Sequence, residues 1–73
     1  MKYPTIQQVK VADRFALGRW YRFLESPGMS AMGSSQFSKV VDQELEILNE
    51  IISRFQQLGG MTPEISKRIS WEE

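Results

Sequence analysis

From Phe37 to Leu58 apolar side chains recur every three or four residues, and that run decides the fold class. With successive residues about 100° apart, Phe37, Val41, Leu45, Leu48, Ile51, Ile52, Phe55 and Leu58 form one stripe, with Val40 and Ile47 at its edge. Lys39, Asp42, Glu46, Asn49, Glu50, Ser53 and Gln57 take the opposite side. Such a pattern is an amphipathic helix that needs a body to lie against. Ser34 or Ser35 caps its start, and Gly59-Gly60 supplies the left-handed residues that end helices. The helix is expected over about residues 35–58.

The preceding chain offers it a partner. Thr5-Ile6-Gln7-Gln8 has the form of a capping box, and Ile6, Val9, Ala12, Ala16, Leu17, Trp20, Phe23 and Leu24 share a broad face after it. A first helix is therefore expected from about residue 5 to about residue 25, stopped by Ser26-Pro27-Gly28. Gly18 falls on its polar side. Asp13 falls inside the apolar arc, where it either interrupts the pattern or caps a second segment after a break near Ala12. After Gly60, Thr62-Pro63-Glu64 reads as a restart: a threonine cap, a proline in the first turn and a carboxylate at the positive end. A helix over about residues 63–70 is too short to hold alone, so it must dock, through Ile65, Ile69 and Trp71.

The expected fold is all-α: one domain over residues 1–73, an antiparallel two-helix hairpin with a loop over 26–34 and a short third helix folded back. A chain of 73 residues is a marginal folder, and without cysteine it has no disulfide to hold it. Without histidine or cysteine, the best ligands for zinc and similar metals are missing, as are Ser–His and Cys–His nucleophiles. No cofactor or metal site and no enzyme activity are expected. Nine basic and nine acidic residues balance, so no net field draws the chain to nucleic acid or a membrane. No apolar run suits a signal peptide or a membrane span. The expected location is the cytoplasm.

Some residues break the amphipathic pattern, and these are the candidates for function. Glu44 sits in the apolar stripe of the second helix and Arg19 at the edge of the first; in a hairpin turning near residue 30 they reach similar levels, which predicts an ion pair fixing register. Asp42, Glu46 and Glu50 recur every four residues as an acidic row, divergent on a helix and so unable to wrap an ion, but able to meet a basic partner. Arg14, Tyr21 and Arg22, with Gly18, are expected to face outward. The arginine and carboxylate rows cannot meet within one hairpin but could between two copies, a reason to expect a homo-oligomer. Phe15 and Tyr21, flanking the main apolar face, point the same way. Met29 and Met32, in the Gly/Ser loop Ser26-Pro27-Gly28-Met29-Ser30-Ala31-Met32-Gly33-Ser34-Ser35, either cap the closed end over Phe23, Leu24 and Phe37 or form a flexible apolar tip for a partner protein. Binding to nucleic acid is the alternative, through Arg14, Arg22, Lys67 and Arg68, although those cations are few and lie beside an equal number of anions.

The segments "ADRFALGRWYRFLESPGMSAMG" and "LGGMTPEISKRISW" resemble small proteins encoded in tailed-bacteriophage genomes, where an "LGRWYRFL…SPG" block precedes an acidic helix and a C-terminal "GG-TPEISK-I-W" block. The resemblance implies no activity. It implies a phage setting, and with it a minor virion or assembly component or a protein that binds and modulates a host factor. The expected function is thus non-enzymatic protein binding, in the host cytoplasm or in the virion.

Overall fold

The structure, a computed structural model, describes residues 2–72, with side-chain surroundings through Ser70. The described residues form four α-helices and no strand: α1 Ile6–Val11, α2 Arg14–Phe23, α3 Phe37–Gln57 and α4 Pro63–Glu72, with a 3₁₀ turn at Met29–Ala31. The single first helix expected over about residues 5–25 is two helices. Thr5 forms the capping box with Gln8, its Oγ1 accepting from the Gln8 amide at 3.1 Å while Gln8 Oε1 accepts from the Thr5 amide at 2.8 Å. The helix then ends at Ala12, whose backbone is extended. Asp13 starts α2, its Oδ1 accepting from the Ala16 amide at 2.8 Å. A continuous helix would carry the Asp13 carboxylate into the apolar face, where desolvation costs several kcal/mol. At the break it stays in water and satisfies a helix-end amide instead.

The second long helix begins at Phe37, later than a cap at Ser34 or Ser35 would give. Ser34 Oγ accepts from the Gln36 amide at 2.9 Å and shapes the turn, and Gln36 at the helix start makes no side-chain cap. Its far end is as the glycine pair requires: the Gly60 amide donates to the Phe55 carbonyl at 2.8 Å and the Gly59 amide to that of Gln56 at 3.1 Å. Thr62 Oγ1 accepts from the Ile65 amide at 3.2 Å and opens α4.

Val9, Leu17, Ile51, Phe55 and Ile69 form the buried core, one or two from each helix. Ile65 is half-buried against it, as are Ala12, Trp20, Leu24 and Ile47. Ile65 and Ile69 therefore dock α4. Trp71, expected beside them, has a side chain outside the described residues. Helix α2 lies between α3 and α4, and α1 packs on α3. A Cβ on Gly18 would stand 3.0 Å from Ile69 Cδ1 and 3.2 Å from Phe55 Cε1, so its missing side chain is what lets α4 settle there. The side of α2 that looked polar is a helix–helix contact.

The radius of gyration is 12.9 Å and the extents are 41 × 22 × 15 Å. A compact chain of this length would have a radius near about 11 Å. The molecule is elongated along α3.

Candidate protein-binding surface

At one end of the long axis the loop after α2 is held by its backbone. Gly28, buried and in a left-handed conformation at φ 87°, donates its amide to Glu44 Oε1 at 2.9 Å. A Cβ there would lie 2.3 Å from Val41 Cγ2 and 3.2 Å from the Phe37 ring, so only glycine fits. Fixed in this way, the loop turns its methionines outward: Met29 is 50% exposed and Met32 68%. The capping role considered for them over Phe23, Leu24 and Phe37 does not match that exposure. Gly28, not a methionine, is the residue laid against Phe37 and Val41.

The partner observed for Glu44 is this loop amide, where the sequence suggested Arg19. The half-buried Arg19 is itself engaged. The segment before α1 is tied to the same end: Tyr3 donates its hydroxyl to the Glu25 carbonyl. Burial, and after it the charges of Glu44 and Glu25, push the Tyr3 pKa above its ordinary value of 10.0.

The arginines expected to face outward are used inside the chain. Arg14 is half-buried and donates from Nε and Nη2 to the Gly60 carbonyl at 3.2 and 2.8 Å, joining the start of α2 to the corner between α3 and α4. Arg22, exposed, donates from Nη1 to Ser66 Oγ at 3.2 Å and Ser70 Oγ at 3.4 Å on α4. Arg68 stacks over the Phe15 ring at 4.9 Å, and Lys67 is exposed. Arg14 and Arg22 are thus part of the clasp that holds α4 on α2. Asp42 and Glu46 are exposed and Glu50 half-buried. Among the described residues no group of three acidic side chains could hold a metal ion.

Tyr21 does face outward, about half exposed, with its ring 5.5 Å from that of Phe55 at a 36° tilt. The two rings, with Gln56, Gly60 and Met61, line a shallow open cavity of about 160 Å³. Small-molecule sites run to about 300–1,000 Å³; this one is sized for a side chain. Sequence reasoning missed it because its wall is Met61, a residue in a turn with no periodicity to reveal it. It also missed how much of the α3 stripe stays open: Phe37 is 38% exposed and Leu45 45%. No described helix is long and apolar enough to cross a membrane.

Compared with protein families, curated proteins and solved structures, the chain matches none.

Proposed function

We propose that this chain is a protein-binding module without chemistry of its own, working in a phage setting as a minor virion or assembly component or as a modulator of a host protein. One observation carries the reading. Among the described residues eight large apolar side chains, Met29, Met32 and Leu45 among them, are exposed, while the core buries Val9, Leu17, Ile51, Phe55 and Ile69. A solvated helical domain has no use for that excess, and an anchored turn presenting two adaptable methionines is a contact tip in form. The phage setting rests on the sequence blocks alone and separates neither role. The nucleic-acid alternative is weakened, since Arg14, Arg22 and Arg68 already have partners within the chain.

A photo-crosslinking residue at Met32, in the cells that make the protein, tests this. Adducts to polypeptide from position 32, absent when the crosslinker is moved to the exposed Gln57, are the expected result. No adduct, or adducts to nucleic acid alone, would overturn it.

A further inference from the structure

The α3 residues that seat the tip and wall the cavity share one side of the helix. Taking Phe37 as origin and 100° per residue, Val41, Leu45, Leu48, Ile52 and Phe55 fall within about 80° of one another. Gly28 seats the tip on Phe37 and Val41, and Phe55 and Gln56 wall the cavity. The two features are about 25 Å apart at 1.5 Å per residue, with Leu45 and Leu48 midway between.

That spacing has a consequence for a second copy. If two molecules lie antiparallel along this flank, with a two-fold axis passing near Leu45 and Leu48, the tip of each falls at the cavity of the other. The chemistry matches at both ends. Methionine against the Tyr21 and Phe55 rings is a favourable sulfur–aromatic contact, and the cavity is sized for a side chain. The charges match too. At the base of the tip Glu44 accepts from the Gly28 amide and the Glu25 carbonyl accepts from Tyr3, with Asp42 and Glu46 exposed on the adjoining turns of α3, while at the cavity Arg14 is bonded to Gly60 and Arg54 adjoins Phe55 along the helix. Arg14 stands beside the cavity, bonded to Gly60 in its wall, and places its positive charge there. Parallel pairing would set like charge on like.

The surface is ample. A standard interface takes about 800 Å² from each partner, roughly one-sixth of the 5088 Å² this chain exposes. A compact protein of 8.5 kDa would expose only about 4,700 Å².

We propose that the partner bound by the tip is a second copy of this chain, in a closed antiparallel dimer in which Met32 of each molecule enters the Tyr21–Phe55–Met61 cavity of the other, Met29 packs at its rim and Leu45 packs near the axis. The proposal rests on the protein-binding reading and gives it a partner.

Light scattering behind size exclusion on the purified full chain, from about 5 to 500 µM, is the test. The expected mass rises from 8.5 kDa to twice that value and stops. A tip variant, Met29→Ser with Met32→Ser, and a cavity variant, Met61→Asp, should each raise the concentration at which pairing occurs at least tenfold with helicity unchanged. Mixing the two should recover part of the loss, because one intact tip then meets one intact cavity. With no native cysteine to compete, a mixture of Met32→Cys and Met61→Cys chains should oxidise to the mixed disulfide faster than either pairs with itself. A mass of 8.5 kDa at every concentration, growth beyond two copies, indifference to both variants, or faster disulfide formation between two Met32→Cys chains each overturns the dimer. A monomer that still crosslinks from position 32 to another polypeptide sinks the dimer and leaves the protein-binding reading; a monomer with no adduct sinks both.

Discussion

The two halves of α3 carry the same apolar stripe and meet different fates. In the C-terminal half Ile51 and Phe55 are buried under α1, α2 and α4, the glycine pair closes the last turn, and Arg14 is clamped on the Gly60 carbonyl. In the N-terminal half Phe37 and Leu45 stay exposed, the first turn has no side-chain cap, and the cover is a loop held at Gly28. Periodicity says which face of a helix is apolar. It does not say how much chain is left to cover that face. Here α2 ends at Phe23 and α4 runs beside α2, so the supply runs out before α3 does.

Truncating each half in turn gives the largest contrast. Ile51→Ala opens a cavity among Val9, Leu17 and Phe55 and should lower unfolding stability by about 2–5 kcal/mol. Leu45→Ala, measured at low concentration in the same denaturant series, should change it by less than about 0.5 kcal/mol, as exposed substitutions do. Equal losses would mean the N-terminal half is as well covered as the C-terminal half, and the contrast would fail.

A smaller effect tests how the exposed half holds its loop. Gly28→Ala combines a left-handed backbone with a Cβ inside Val41 and should cost about 1–3 kcal/mol. If the clash is the cause, Val41→Ala in the same chain should return part of that loss, and a double-mutant cycle measures how much. Strict additivity would leave backbone strain as the whole explanation and remove the claim that Gly28 seats the tip.

What could be read from the sequence follows the same division between local and long-range effects. The capping box at Thr5, the stop at Gly59-Gly60 and the restart at Thr62 are settled by residues within a few positions of each other, and all three are present. The break at Asp13 was legible only as one of two readings, because choosing between them means knowing that the arc around Asp13 is buried. The covered side of α2 was not legible. Glycine beneath Ile69, arginine on a backbone carbonyl and arginine on serine hydroxyls have no apolar signature, so a packed face reads as a solvated one. The cavity is harder still, since Tyr21 and Met61 are brought together only when α2 packs against the corner after α3.

A smaller loss than that at Gly28 is expected in the N-terminal segment, which pins α1 to the loop end. Tyr3 is held protonated by burial and by the Glu44 and Glu25 charges, and its hydroxyl donates to the Glu25 carbonyl. Its folded-state pKa lies above the unfolded one, so its contribution is fully present below pH 10.0 and is lost as pH rises through the folded value. A phenolate cannot donate to a carbonyl and is repelled by both carboxylates. Tyr3→Phe should therefore lower stability by about 0.5–1.5 kcal/mol at neutral pH, the usual worth of one such bond. The gap between the two proteins should shrink steadily above pH 10.0, and taking the difference cancels the lysine titrations common to both. Melting both proteins at about pH 7, 9, 10 and 11 reads this directly. A gap near zero at about pH 7 would show that the hydroxyl holds nothing and leave Gly28 to anchor the exposed half of the molecule, whereas a gap that persists unchanged to about pH 11 would show that its worth does not follow ionisation of the phenol.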